Sequence, residues 1–244
     1  MLGLVQGLTE FLPVSSSGHL VILQRIFALN SNPLIVSIVL HLGTTLAILI
    51  FFFRDILRML RSARSIFLIL IVTALTGIIA LSGKDFFEGL FNSPRAVAVS
   101  LLTTAVVLLF AQRVIARAQR DKLNIKDALI LGIAQGIAVI PGISRSGITI
   151  STLLFRGIKK EEAFRFSFIA AIPAILGAAL LELKDAHLSE APIEPAKMLA
   201  GFLISFASGL LALWVFRKVV GKLKLHYFAY YCIMVAILTF IFVK

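Results

Sequence analysis

At 244 residues, 59% hydrophobic and only 15% charged, the chain is too apolar for an ordinary soluble domain of its length. Its net charge of +12 does not indicate a nucleic-acid partner, because the basic residues gather between apolar stretches, the positive-inside pattern of a membrane protein. The lone cysteine, Cys232, excludes an internal disulfide and reads as a small apolar packing residue.

The chain opens on an apolar segment that is broken in the middle. Gln6 and Glu10, four residues apart, share one helix face. Pro13-Val-Ser-Ser-Ser-Gly18 then interrupts the helix, since proline removes a backbone donor and glycine weakens helical structure, and His19 follows the break. No basic n-region or small-residue cleavage pattern precedes this segment, so no signal peptide is expected.

Residues 33–53 form the first run of about 20 apolar residues, the length a helix needs to cross roughly 30 Å of hydrocarbon. Within it, His41 and Thr44 either line a cavity or bond across a helix interface, and Gly43, Thr44 and Thr45 suit close helix packing. Arg54, Arg58, Arg61 and Arg64 follow. Further spans are expected at 66–81 and 95–112, the latter followed by Arg113, Arg117, Arg120, Lys122 and Lys126.

A second broken segment comes next, interrupted by Pro141-Gly-Ile-Ser-Arg-Ser-Gly147. Three last spans are expected at 162–181, 195–216 and 225–243, with basic groups Arg156, Lys159, Lys160, Arg165 and Arg217, Lys218, Lys222, Lys224 between them. The four basic groups hold 17 of the 24 Lys and Arg, which assigns their loops to the cytoplasm. His187 and His226, in or beside loops, read as solvated.

The two broken segments are related. Residues 6–18 and 135–147 align without a gap at an offset of 129: Gln6, Gly7, Ser15, Ser17 and Gly18 recur as Gln135, Gly136, Ser144, Ser146 and Gly147. Arg145 replaces Ser16 and Val139 replaces Glu10, so the halves are chemically unequal. Each segment reads as half-helix, loop, half-helix, and irregular backbone at membrane depth is tolerated only in protein or beside a wet cavity. Three spans follow each one. The expected fold is therefore all-α and polytopic, with six transmembrane helices and two re-entrant helix–loop–helix segments arranged as an inverted-topology repeat. It is a single integral membrane domain over 1–244, with repeat one at about 1–120 and repeat two at about 121–244.

The polar residues of these segments suggest chemistry. Glu10 is an ionisable group inside an apolar segment, a functional position unless it snorkels to the interface or serves only as a structural ion pair. His19, beside Ser15, Ser16 and Ser17, has the parts for proton transfer or for activating a hydroxyl, or else simply bonds the loop backbone. Arg145 offers forked donors to phosphate oxygens, or pairs with Glu10. Gly18 and Gly147 open half-helices whose free N–H groups favour an anion, and Ser144, Ser146 and Thr149 add neutral donors. A phosphorylated lipid fits this set, with its head group at Arg145 and its chain between the helices.

The stretches Gln6-Gly-Leu-Thr-Glu10-Phe-Leu-Pro-Val-Ser-Ser-Ser-Gly-His19 and Pro141-Gly-Ile-Ser-Arg145-Ser-Gly-Ile-Thr149 closely resemble the two signatures of the undecaprenyl-diphosphate phosphatase family of the bacitracin-resistance type. The resemblance extends through His41-Leu-Gly-Thr-Thr and Arg165-Phe-Ser-Phe-Ile-Ala-Ala-Ile-Pro173. It implies hydrolysis of undecaprenyl diphosphate to the monophosphate and inorganic phosphate, recycling the lipid carrier of cell-wall synthesis in the bacterial inner membrane. It also implies a divalent cation, Mg2+ or Ca2+, with Glu10 as its candidate ligand. By motif position Gln6 and Glu10 take the family's acidic or amide pair, Ser16 and His19 its serine and histidine, and Ser144, Arg145 and Thr149 its second signature. Gln6 is the amide option, so a metal site here has one fewer carboxylate.

Together these readings make Glu10, Ser16, His19 and Arg145 the candidate catalytic residues. Gln6, Ser15, Ser17, Gly18, Ser144, Ser146, Gly147 and Thr149 are the candidate substrate contacts. The nucleophile is either Ser16, giving a phosphoseryl intermediate, or an activated water. A polyprenyl-phosphate flippase or transporter is the main alternative function, because inverted repeats with broken helices suit alternating access. An acid phosphatase suggested by Ser17-Gly-His19 lacks its partner motif, and a helical scaffold leaves the paired serine loops unexplained. The partners expected are a polyprenyl diphosphate and membrane lipid, with no nucleic acid; a homodimer stays open.

Overall fold

The computed structural model describes residues 1–27, 33–185, 194–220 and 224–243; His187 and Lys222 fall outside them. The described residues form twelve α-helices, a 3-10 turn at Ile115–Arg117 and a lone bridge between Arg120 and Ile158. Five helices are long and apolar enough to cross a bilayer: α5 (Ala63–Ser82), α7 (Pro94–Val114), α10 (Lys160–Asp185), α11 (Pro195–Val220) and α12 (Leu225–Phe242). A sixth arises if α3 (Pro33–Phe51) and α4 (Phe53–Leu60), which meet at a 74° bend, count as one broken span. The basic loop expected after the first span is thus partly helical: in α4, Arg58 pairs with Asp55 at 3.3 Å.

Helix starts are written into the sequence. Ser62 and Ser93 cap α5 and α7 by accepting the N–H groups of Ser65 and Ala96, with Pro94 in the first turn of α7. Asn124 and Asp127 form a reciprocal capping box at the start of α8 (Ile125–Ile137). The short α6 (Lys84–Phe91) links α5 to α7.

The outward surface is apolar, as a bilayer solvent requires: Leu70 and Ile78 on α5, Leu203 and Trp214 on α11, and Ile241 and Phe242 on α12 are all exposed. The chain is a multi-pass membrane protein. Close packing inside it uses small residues, since helices in lipid associate through van der Waals contact and backbone approach. A Cβ at Gly3 of α1 (Leu2–Phe11) would lie 2.7 Å from the Gly201 carbonyl oxygen on α11, and one at Gly7 would lie 2.6 Å from the Ser205 carbonyl oxygen. At an offset of 129 stand Gly132 and Gly136 of α8. There a Cβ would lie 2.9 Å from Leu75 and 2.8 Å from Ile79 on α5. The helix before each break thus packs closely on a long helix distant in the chain, α1 on α11 and α8 on α5.

A phenylalanine cluster fills the interior. Phe168 on α10 packs edge-on to Phe11 at 5.5 Å and to Phe164 at 5.0 Å, and Phe164 meets Phe216 of α11 at 5.2 Å. Phe52, at the α3–α4 bend, packs on Phe164 at 5.5 Å. All five rings are buried. Such edge-to-face pairs each add about 0.5–1.5 kcal/mol beyond burial itself.

Candidate active site

The two broken segments fold alike. The helices after the breaks are α2 (Ser16–Ile26) and α9 (Arg145–Phe155), and the offset of 129 carries one range onto the other. Ser15 caps α2 by accepting the Gly18 N–H at 3.2 Å; Ser144 caps α9 by accepting the Gly147 N–H at 3.1 Å. Ser15 and Ser17 hydroxyls lie 3.3 Å apart, as do those of Ser144 and Ser146. The first-turn N–H groups of each helix fall outside its own hydrogen-bond ladder, so two positive helix ends are presented.

The loops meet. The Ser146 hydroxyl donates to the Leu12 carbonyl at 3.1 Å, and a Cβ at Gly18 would stand 3.1 Å from the Gly142 Cα. Gly142 itself has φ +91°, and a Cβ there would lie 2.4 Å from the Val97 carbonyl oxygen, so only glycine fits the turn. Thr104 of α7, fully buried, fastens this loop: its hydroxyl donates to the Gly142 carbonyl at 3.1 Å and accepts the Ser144 N–H at 3.0 Å. Ser15, in the first loop, holds φ 68°, a conformation costly for a residue other than glycine.

Glu10 stands at the junction, 7% exposed. One carboxylate oxygen takes the ion pair from Arg145 Nη2. The other accepts from the Ser16 hydroxyl at 2.5 Å and from Gln6 Nε2 at 3.0 Å, with His41 Nε2 at 3.7 Å. The expected helix-face pairing of Gln6 with Glu10 is present, and residues 135 apart in the chain are brought into contact. Of the buried polar atoms without protein partners among the described residues, two belong to this cluster: Arg145 Nη1, a donor, and Gln6 Oε1, an acceptor. A buried group left unpaired costs about 1–3 kcal/mol, which points to an intended occupant. The Arg145 guanidinium also lies 5.7 Å from the Phe168 ring centre, so the aromatic cluster floors the site.

Other candidates are placed differently from a simple convergence. His19 hydrogen-bonds the Ser15 carbonyl through Nδ1 at 2.7 Å and Tyr231 of α12 through Nε2 at 2.8 Å, while Ser16 turns to Glu10. Thr149 is buried, donating to the Arg145 carbonyl at 2.7 Å and meeting the Ser167 hydroxyl at 2.5 Å, so it braces α9. Ser144 and Ser146 likewise shape the loop. His41, one of two open readings in the sequence, faces Glu10 and is anchored through Nδ1 to the Ser37 carbonyl at 2.9 Å. Thr104 and Tyr231 escaped sequence reading because a lone Thr or Tyr in an apolar helix carries no motif; Ser167 lies in the 165–173 stretch that carries the family resemblance, without a role of its own being read there. Cys232 packs buried, as expected, with its sulfur 3.7 Å from the Pro13 carbonyl oxygen.

No cluster of three or more His, Cys, Asp or Glu suited to a metal occurs among the described residues. The oxygens of Glu10, Gln6 Oε1 and Ser16 instead form a partial set. Oxygen donors of this kind are the type that a hard cation such as Mg2+ takes, with phosphate oxygens and water as its other ligands.

Residues 1–238 match the family model described as bacitracin resistance protein BacA. A protein named undecaprenyl-diphosphatase from Carboxydothermus hydrogenoformans is 44% identical over 237 residues, 95% of this chain and 91% of that protein. One of the same name from Thermotoga petrophila is 40% identical over 243 residues, covering 99% and 98%. Undecaprenyl-diphosphatase 1 of Shouchella clausii is 35% identical, covering 99% and 94%. The chain belongs to the bacitracin resistance protein BacA family.

Proposed function

We propose that the protein hydrolyses undecaprenyl diphosphate to undecaprenyl phosphate and inorganic phosphate at the junction of the α1–α2 and α8–α9 loops. The observation that carries this reading is the Arg145–Glu10 pair, in which Arg145 Nη1 is left free and buried between two helix starts. A terminal phosphate placed there meets a fixed cation, two positive helix ends and loop N–H groups, donors that need no reorganisation as charge shifts to the leaving oxygen.

In the reaction, the bond from the terminal phosphorus to the bridging oxygen breaks and undecaprenyl phosphate leaves. The new bond comes from water, giving inorganic phosphate directly, or from Ser16 Oγ, giving a phosphoserine that water then hydrolyses to inorganic phosphate. Ser16 already donates to Glu10 at 2.5 Å, so Glu10 is the nearest base for either nucleophile that occupies this position. Arg145 must release part of its hold on Glu10 to the phosphate, which frees the carboxylate to take the proton. His19 Nε2 provides the second acid–base position once Tyr231 yields it. Glu10 and Gln6 Oε1 would hold the divalent cation, which supplies charge neutralisation at the phosphate.

The architecture is read as an inverted-topology repeat within one domain, residues about 1–120 and about 121–244, with six spans and two re-entrant segments. Reciprocal packing of α1 on α11 and α8 on α5 supports it. The basic loops are read as cytoplasmic and the membrane as the bacterial inner membrane, on the positive-inside pattern of their Lys and Arg. The buried rings of Phe52, Phe164 and Phe216 adjoin those loops in sequence, which favours access from the outer face.

Substrate carrying 32P in its terminal phosphate, given to purified protein in detergent, should yield labelled inorganic phosphate and unlabelled undecaprenyl phosphate. Acid-quenched single turnovers then decide the nucleophile: label on Ser16 identifies the serine route and its absence the water route. Lipid transfer across a bilayer with the diphosphate intact would refute hydrolysis.

A further inference from the structure

His19 has both ring nitrogens committed. A carbonyl oxygen only accepts, so the 2.7 Å contact with the Ser15 carbonyl places the proton on Nδ1 and leaves the lone pair on Nε2. The Tyr231 hydroxyl, 2.8 Å from Nε2, is therefore the donor. The two rings are stacked, with centroids 5.6 Å apart and planes within 4°. Tyr231 comes from α12, the last helix, 212 residues from His19. Its neighbour Cys232 touches the Pro13 carbonyl oxygen of the same loop at 3.7 Å. One turn of α12 thus grips the first loop on both sides of its serines. The grip matters because the loop is costly to hold, with Ser15 at φ 68° supplying the very carbonyl that fixes the histidine tautomer.

We infer that Tyr231 is a positioning residue for the hydrolytic reaction: by a hydroxyl bond to Nε2 and a ring stack it orients the His19 imidazole, whose Nδ1–H tautomer the Ser15 carbonyl sets. This rests on the reading of His19 as an acid–base group. The Tyr231 hydroxyl acts through His19, so its loss is expected to show in turnover and not in substrate affinity. A tyrosine that merely packs would be replaced without effect by phenylalanine, which keeps the ring and loses only the hydroxyl.

The test uses purified full-length protein and phosphate release from undecaprenyl diphosphate. Tyr231→Phe is expected to lower kcat about five- to tenfold, the equivalent of one hydrogen bond, with KM within about twofold. In a His19→Asn background the same change is expected to have no further effect, because the hydroxyl then has no imidazole to hold. In 15N-histidine NMR, the His19 Nε2 signal, assigned by its loss in His19→Asn, should shift in Tyr231→Phe as it loses its hydroxyl donor, while the Nδ1–H signal held by the Ser15 carbonyl stays. Wild-type kcat in Tyr231→Phe, or losses that multiply in the double variant, overturns the role of Tyr231. Wild-type kcat in His19→Asn removes the acid–base reading of His19 itself, and with it a catalytic purpose for the contact.

Discussion

Replacing Arg145 separates its two roles. The guanidinium pairs with a carboxylate that is almost fully buried, and it keeps a second nitrogen free for substrate. In Arg145→Ala the Glu10 carboxylate is left without its ion-pair partner, which costs about 3–5 kcal/mol of stability when such a pair is broken from one side. The lost phosphate contact costs turnover separately: removing one preorganised donor to a developing negative charge lowers kcat by about 10²–10³, and a full arginine at a phosphoryl centre by about 10³–10⁵. A fall of about 10³ or more is expected. Arg145→Lys restores charge but not two directed donors, so it should retain stability and still lose about a hundredfold. Adding Glu10→Gln to Arg145→Ala removes the stranded charge; thermal unfolding in detergent should then recover while phosphate release does not. Activity of Arg145→Ala within tenfold of wild type, or activity that returns together with stability in the double variant, would falsify the assignment.

Other consequences can be checked singly. Thr104→Val, which keeps shape but removes both bonds to the second loop, should lower kcat about tenfold or more, with Thr104→Ser close to wild type in the same phosphate-release assay. Gly142→Ala should fail to give active protein, read as loss of monodisperse protein on gel filtration, because its Cβ would collide with the Val97 carbonyl oxygen. Gln6→Glu adds a carboxylate beside Glu10 and should lower the Mg2+ concentration that half-restores activity after chelation.

Outside the spans, the Asp127 carboxyl is pushed up by burial, but the Asn124 N–H, Arg156 and Arg120 outweigh that and hold it below the usual carboxylate range. Its folded-state value lies below its unfolded one, so the stabilisation is present above the unfolded value of about 3.9 and lost as pH falls through the folded one. Asp127→Asn should therefore be less stable than wild type at pH 7, with the gap closing at acid pH in thermal unfolding.

How much of this was legible beforehand differs by element. The repeat was, because helix starts are encoded locally: Ser-x-x-Gly sets a cap in each loop, and α2 and α9 begin at matching positions. The pairing of Glu10 with Arg145 was legible as one of two readings, since a buried carboxylate and a buried guanidinium in one membrane domain need each other. The partner of Ser16 was not. Proximity in sequence suggested His19, but the backbone turn at Ser15 directs the imidazole to its own carbonyl and to Tyr231, leaving Ser16 to Glu10. The helical form of the first basic loop was hidden too, because α4 and its sharp bend follow from how Phe52 packs on Phe164 across the fold.

The site itself is open to direct observation with a methylene-bridged polyprenyl bisphosphonate, which binds but cannot be hydrolysed, in an experimental structure of the purified protein. The terminal phosphonate is expected on Arg145 Nη1 between the starts of α2 and α9, with Glu10 and Ser16 within reach of its phosphorus. A phosphonate seated elsewhere, with the Arg145–Glu10 pair undisturbed, would contradict a shared catalytic site built from the two loops.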